Sequence, residues 1–558
     1  MAVLAMACAP QQQRGAVDAR PAPAAQSQNL AIAIYAEPGT LAQKPLGAGP
    51  GTSFRSTVRA FNATLGIVDG EGLPRPYLAE VLPKLDTESW VVSPEGRMET
   101  RYRLRANLTW HDGAPMTAED FVFAWQVYSS PRVGIATRTP QTLITDVSAP
   151  DPLTVLILWR APYPEASTLA GEDFPPLPRH LLQATFQEDP SALESQSFWT
   201  RDYVGSGPYR LTRWEPGAFI EGDAFAGHSL GKPKIDQIRI SFISDSNAVL
   251  AAVLAGDVQM ATDIAIKFDQ ALILQRDWVP QRKGTVILRP GSYHGAYFQL
   301  RPDTATPRAL LDLRVRRALA HSLNRQDIND AIFDGQGIMT EVPNIPPASA
   351  YRAEADRLAV KYPYDVRATE TLLTDAGYRK GNDGIFVHPT DGPLRIELKT
   401  LVSSERQKEQ EILITNWRAA GFDFSAALLA AAQSTDSELR ATFPGMFTFT
   451  QGPGEYAFAH DFSSGAIGTP DKRWIGNNRG AWSNEEFDRL SAAFSGAVAP
   501  ADRIRYIAEM VKVHTENVPN IPISFGVGSE AFVSGLRGPR QVAPETLIPW
   551  NIHEWELS

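Results

Sequence analysis

The sequence predicts an α/β protein of two or three domains, and three observations carry that expectation. Its 558 residues exceed what one hydrophobic core normally serves. From residue 293 to residue 525 helical and strand patterns alternate, the order expected of an α/β lobe. A strand-turn-strand block opens at Gly205 between flanks of helical pattern. Gly205, Gly207 and Pro208 make a turn cluster, residues 209–214 alternate, Glu215-Pro216-Gly217 turns again, and residues 235–242 alternate a second time.

Taken in order, residues 30–36 (LAIAIYA) have the length of a buried strand and end at Glu37-Pro38. A Gly/Pro-rich loop then leads to a helical pattern of Phe54, Val58, Phe61 and Leu65. Tyr102 and Leu104 alternate with polar neighbours as an edge strand would, Asp112-Gly113 reads as a tight turn, and Thr117 with Asp120 approaches a capping box. His111-Asp112 and Glu119-Asp120 read as turn and cap chemistry rather than catalysis, because adjacent side chains on a helix do not face each other. Residues 153–158 form a strand, a helix is expected near 178–186, and residues 247–257 form a helix stopped by Gly256. Residues 313–323 read as a helix whose Arg314, Arg316 and Arg317 lie on a solvated face. Further on, helices are expected at 364–378, 409–420, 485–494 and 504–513, with strands at 394–401, from 421 and at 518–525.

Composition excludes more than it proves. The chain is 43% hydrophobic and 21% charged, without the signature of disorder, and its formal net charge of −10 argues against nucleic-acid binding. Its one cysteine, Cys8, permits no intrachain disulfide and no cysteine zinc site. Cys8 follows the small apolar run MAVLAMA and precedes a linker rich in Ala, Pro, Gln and Ser, which resembles the end of a lipoprotein signal with a lipidated cysteine. No run of about 20 apolar residues is present. Neither GxxxxGK[ST] nor HExxH occurs, and the nine histidines show no pair at helical metal spacing, so no metal and no cofactor are expected. Ser229-Leu230-Gly231-Lys232 fits SxxK but lacks a KTG partner.

Several blocks together resemble the family 5 extracellular solute-binding proteins. Gly205-Ser206-Gly207-Pro208-Tyr209, Trp214-Glu215-Pro216-Gly217 and Gly231-Lys232-Pro233-Lys234-Ile235-Asp236 match its G-T-G-P-Y, W-x-P-G and G-x-P-x-I-D, with Ser206 in place of Thr. Pro76-Tyr77-Leu78-Ala79-Glu80, Trp110-His111-Asp112-Gly113 and Thr117-Ala118-Glu119-Asp120 resemble P-x-L-A-E, W-x-D-G and T-A-E-D. Residues 313–325, the A-G-Y at 376–378, Trp482-Ser483-Asn484 and residues 518–525 extend the resemblance, while Gln259 stands where an Asp is common.

The resemblance implies a two-lobed periplasmic-binding-protein-like fold, type II of cluster C, with an additional inserted domain. It divides the chain into a signal remnant and linker at 1–28, a first lobe at 29–66, 205–291 and 516–558, an additional domain at 67–204, and a second lobe at 292–515. It implies a non-enzymatic, monomeric component of an ABC importer in the periplasm or on the outer face of the cytoplasmic membrane. Its partners would be permease subunits, the membrane through Cys8, and a peptide or other small ligand. Sugars, opines, nickel chelates and small amines also occur as ligands in the family. A secreted hydrolase, or a sensor or chaperone without an importer, is the alternative.

Residues 443–482 read as a long irregular stretch of aromatics, glycines and few charges, as expected of a loop lining a pocket. Candidate ligand residues there are Phe449, Tyr456 and Trp474 as flat apolar surfaces and Glu455, Asp461 and Asn478 as polar anchors, with Asp461 or Glu455 placed to hold a ligand amine. Glu37, Phe54, Tyr293 and Tyr297 complete the candidate set.

Overall fold

The computed structural model describes residues 28–46, 54–134, 140–171, 173–544 and 546–558; Cys8 and its flanks lie outside them. One eleven-stranded sheet runs through both lobes. Its order is Asp423–Leu429, Arg395–Leu401, Met446–Gln451, Gly284–Phe298, Asn520–Val533, Met260–Ala261, Asn29–Ile34, Gln237–Phe242, Phe219–Ala224 and Tyr209–Glu215, with Ile338–Met339 also paired to Asn520–Val533. The strands that join the halves, Gly284–Phe298 and Asn520–Val533, are 15 and 14 residues long. At about 3.3 Å per residue each reaches from one lobe into the other.

The inserted domain carries its own sheet, in the order Ala79–Val81, Met98–Leu104, Thr154–Trp159 and Ile144–Asp151, with Trp90–Val92 also pairing with Met98–Leu104. Met98–Leu104 is therefore interior and not an edge strand. Its alternation reports one buried face and says nothing about which backbone edges are paired. This domain shares a continuous core with the first lobe, in which Leu30, Ile32, Phe61 and Ile240 join Tyr102, Phe121, Ile157 and Trp159. The second lobe instead has two cores, one around Ile396, Leu398 and Trp417 and one around Tyr297, Phe447 and Phe458. No helix among the described residues is long and apolar enough to cross a membrane.

The turn at Gly205 to Pro208 has a steric cause. A Cβ on Gly205 would lie 2.1 Å from the Phe61 carbonyl oxygen, and one on Gly207 would lie 2.2 Å from the Asn62 nitrogen. Both glycines lie against the last turn of helix Arg55–Phe61, and the Gly207 N–H donates to the Phe61 carbonyl at 3.0 Å. His111 of the inserted domain completes the joint. Its Nδ1 accepts from the Gly205 N–H at 3.2 Å, so its Nε2–H donates to the Gly207 carbonyl at 3.0 Å. His111-Asp112 is turn chemistry, as its sequence context implies, and Asp120 accepts from the Thr117 N–H at 2.9 Å in a capping box. Gln259 accepts from the Ala31 N–H at 2.7 Å and donates to the Gly256 carbonyl at 3.0 Å. It serves the first lobe's backbone.

Two expectations need correction. Arg316 is not on a solvated face: it is buried and donates to the carbonyls of Leu310, Leu311, Asn517 and Val518. It closes the end of helix Pro500–Asn517, where a cation is favoured. Residues 443–482 are not one irregular stretch, since they contain strand Met446–Gln451 and helix Glu455–Asp461. The first four residues of that strand are all buried, so it offers no alternation for periodicity to read.

Candidate functional site: the seam between the lobes

An ion pair crosses between the lobes. Glu165 lies on the short 3-10 turn Pro164–Ser167 of the inserted domain, and its Oε1 is 3.0 Å from Nη2 of Arg503 on the second lobe's helix Pro500–Asn517. Arg503 lies over the Phe494 ring at 4.1 Å and donates through Nε to the Tyr351 hydroxyl at 3.3 Å. Glu455 opens helix Glu455–Asp461 beside this pair. Burial pushes its carboxyl up, Glu165 adds to that rise, and Arg503 opposes it. Tyr163 stacks on Trp159 at 5.4 Å, and burial, then Asp173 and Glu165, hold its phenol protonated. Tyr456 is 49% exposed and stacks on His460 at 4.1 Å, presenting a flat aromatic face. The seam thus offers aromatic surface and charges of both signs, which suits reversible capture of a polar solute.

Behind the seam stand Tyr293, Tyr297 and Phe449. Tyr297 and Phe449 stack at 3.8 Å, and Tyr293 meets Phe449 edge-on at 5.8 Å. The Tyr297 hydroxyl donates to the Asn477 carbonyl at 2.8 Å and accepts from Gln451 at 3.0 Å, and the Tyr293 hydroxyl donates to Asn520 at 3.3 Å. All three rings are at most 3% exposed, so they form the wall behind the seam. Asp461 accepts from the Asn477 amide at 3.0 Å, and burial raises its carboxyl. Trp474, at φ +60°, faces the Arg301 guanidinium at 5.6 Å. Asn478 is buried and holds its loop closed, donating to the carbonyls of Phe462, Ser463 and Trp482 and accepting from the Trp482 N–H.

The remaining candidates lie in the first lobe. The Glu37 carboxylate accepts from Trp214 Nε1 at 2.6 Å and from the Gly217 N–H at 2.9 Å, clasping the hairpin turn of the W-x-P-G block. Phe54 is buried in the first-lobe core. The structure therefore gathers Glu455 and Tyr456 at the seam and Tyr293, Tyr297, Phe449 and Asp461 just behind it. Trp474 and Asn478 shape the adjoining loop, and Glu37 and Phe54 stand apart.

Sequence reading missed Tyr163, Glu165 and Arg503. The first two occupy Pro162-Tyr163-Pro164-Glu165, which has the same mix of aromatic, acid and turn formers that singled out residues 443–482. Nothing in the pattern of Arg503 sets it apart from other helix arginines. The SxxK pair has no catalytic partnership: the Lys232 ammonium is 3.5 Å from Asp236, and the buried Ser229 hydroxyl has no hydrogen-bond partner.

Glu165→Gln removes the charge from the cross-lobe pair. Because Glu165 is 38% exposed, the expected effect is about 1 kcal/mol or less. It should appear as a larger radius of gyration of the unliganded protein with the melting temperature unchanged.

With fold and seam described, the relatives can be placed. The model of the bacterial extracellular solute-binding proteins, family 5 (Middle), matches residues 80–468, and the chain belongs to that family. A putative ABC transporter peptide-binding protein of Brucella ovis is 25% identical over 300 residues, covering 53% of this chain and 52% of the relative. The glutathione-binding protein GsiB of Escherichia coli is 27% identical over 296 residues, covering 53% of each. The chain thus spans about half the length of these two relatives. The oligopeptide-binding protein of Thermus thermophilus, solved with a pentapeptide, shares the fold at a TM-score of 0.71 and 22% identity, over 95% of this chain and 96% of that one.

Proposed function

We propose that this protein is the extracytoplasmic solute-binding component of an ABC importer. In this reading it captures a peptide or peptide-like ligand between its lobes by hinge closure, without turning it over. It works as a monomer at the outer face of the cytoplasmic membrane, tethered through Cys8 and delivering its ligand to permease subunits. The lobes follow the division 29–66, 205–291 and 516–558 against 292–515, with 67–204 riding on the first.

The observation that carries the reading is the break in the two crossing strands. They pair in register from Gly284 opposite Val533 to Pro290 opposite Val527, shift, and resume at Tyr293 opposite Phe525. Pro290 has no N–H to give the ladder, and Gly291, Gly526 and Gly528 surround the break, so a bend there sacrifices few hydrogen bonds. Each side is fastened to its own lobe. On the first-lobe side Arg289 pairs with the buried Glu530 at 3.0 Å, and Thr262 donates to Glu530 at 3.1 Å. On the other side Arg325 donates to the Pro522 carbonyl at 2.8 and 3.0 Å, and His294 meets Glu409 at 3.4 Å. Two fastened bodies joined at a glycine-rich break rotate as units. A ligand that contacts both lobes shifts the population towards the closed form.

The test is a thermal-shift screen of short peptides, followed by small-angle scattering with a hit. A rise in melting temperature together with a smaller radius of gyration is expected. Cleavage of the hit peptide, or binding without compaction, would overturn capture by closure.

A further inference from the structure

The second lobe holds a cavity of about 360 Å³ whose lining residues all fall between Leu323 and Tyr364. One lobe therefore builds it, and none of its lining residues belongs to the seam. Helix Arg325–Phe333 opens onto the cavity, and residues 339–342 close another side. Two neighbouring carbonyls of the crossing strand Asn520–Val533 fasten these walls. Arg325 donates through Nε and Nη2 to Pro522 at 3.0 and 2.8 Å, and the Thr340 N–H donates to Ile523 at 3.1 Å. Those bonds leave Nη1 as the one nitrogen of this guanidinium without a described acceptor. Glu341, next to Thr340, brings Oε1 to 3.9 Å from that nitrogen, beyond hydrogen-bond reach, and Oε1 is buried with no hydrogen-bond partner. The Glu341 side chain as a whole is 27% exposed, and neither of its oxygens accepts a described hydrogen bond. The cavity's other charges are already matched, since Arg352 Nε and Lys361 Nζ lie 2.7 and 3.0 Å from the Asp356 carboxylate.

A carboxylate and a guanidinium that face each other without bonding are unfavourable until a third group satisfies both. That group must donate to Glu341 and accept from Arg325. An α-amino acid does both from neighbouring atoms. Its ammonium donates to Glu341, whose terminal torsion is soft enough to turn either oxygen inward, and its carboxylate accepts from Arg325 Nη1. The start of helix Arg325–Phe333 favours the same carboxylate. Leu323, Met339 and Val342 supply apolar lining for an aliphatic side chain. We infer that this cavity, with Arg325 and Glu341 as its anchors, binds a free aliphatic α-amino acid independently of the ligand captured between the lobes.

Leucine, isocaproate and isoamylamine, titrated at pH 7 and constant ionic strength, are the probes; the second lacks the ammonium of leucine and the third its carboxylate. Leucine should raise the wild-type melting temperature in proportion to the logarithm of concentration, and each truncated analogue should bind at least about tenfold more weakly. Glu341→Gln should weaken leucine at least about tenfold, while Arg489→Gln on the exposed face of another helix leaves it unchanged. The analogues test the same pairing on the wild-type protein, whatever Glu341→Gln does to folding. Because one lobe builds the cavity, leucine should leave the radius of gyration unchanged and should not displace a peptide bound between the lobes. No response to leucine, equal binding of either analogue, or equal affinity in a folded Glu341→Gln protein would overturn the site. Leucine binding with compaction, or displacement of a bound peptide by leucine, would place the amino acid between the lobes and overturn it as well. Leucine binding as expected in a protein that binds no peptide would uphold this site and overturn peptide capture.

Discussion

Gly207→Ala should melt well below wild type, and Gly205→Ala should behave alike. At each position the added methyl would meet backbone at little more than 2 Å, the Phe61 carbonyl oxygen for Gly205 and the Asn62 nitrogen for Gly207. Backbone cannot move aside as a side-chain tip can, so the clash must push helix Arg55–Phe61 away from the first-lobe sheet. The same shift would strain the Gly207–Phe61 hydrogen bond and both His111 contacts. Overpacking of this kind costs about 3 kcal/mol or more, on the order of a 5 °C fall in melting temperature for one domain. Gly217→Ala is the control. At φ +72° with nothing within 4 Å of its Cβ, it should cost only about 1 kcal/mol of backbone strain. Melting of Gly207→Ala within a degree of Gly217→Ala would refute the steric account.

The second large effect is acid lability. Burial holds four histidines neutral: His111 and His553 titrate at about 4, and His228 and His514 at about 3. The hydrogen bonds around His228 fit the neutral ring. The Tyr77 hydroxyl accepts from Arg59 and so donates to Nε2 at 2.8 Å, leaving Nδ1–H for the Gly231 carbonyl at 2.8 Å. His514 sits among the rings of Phe458, Phe462, Trp482 and Phe487, with no charge to offset protonation.

Because each of these folded-state values lies below the ordinary 6.5, the unfolded chain binds the additional protons between them. Their contribution is complete above pH 6.5 and is lost as the pH falls towards 3 to 4. Glu530 acts in the opposite sense: burial pushes its carboxyl up to about 7, so its protonated form favours the fold at lower pH and that advantage is lost as the pH rises. Burial also raises the carboxyls of Asp120, Asp263, Glu455 and Asp461, which act as Glu530 does, so the four histidines leave at most about three net protons near pH 5, a slope on the order of 4 kcal/mol per pH unit at most. Urea midpoints should therefore fall steeply between pH 6.5 and 5. A flat profile over that range would contradict the burial of neutral imidazoles.

Much of the scaffold was legible in the chain. The turn glycines, the Thr117–Asp120 cap, the Gly256 stop at φ +85° and the Asn484 cap that accepts from Phe487 each announce a local backbone event, and local events are what residue spacing encodes. Glu455 and Tyr456 were legible as candidates because acids and aromatics among glycines are unusual in packed segments. Their neighbours were not: Glu165 and Arg503 lie 338 positions apart, and no local pattern records that they meet.

By itself, then, the sequence determined many of the elements, the family and the strand-turn-strand block against which the first helix ends, since each depends on neighbours within a few turns of chain, whereas strand Met446–Gln451 and helix Glu455–Asp461 were not legible in it. Only the tertiary structure decided that Met98–Leu104 is interior, that Arg316 is buried at a helix end, that Glu37 clasps a hairpin and that Glu165 meets Arg503. Those outcomes depend on which backbone edges pair and which charges come to face one another, and both are set by contacts between segments far apart in the chain.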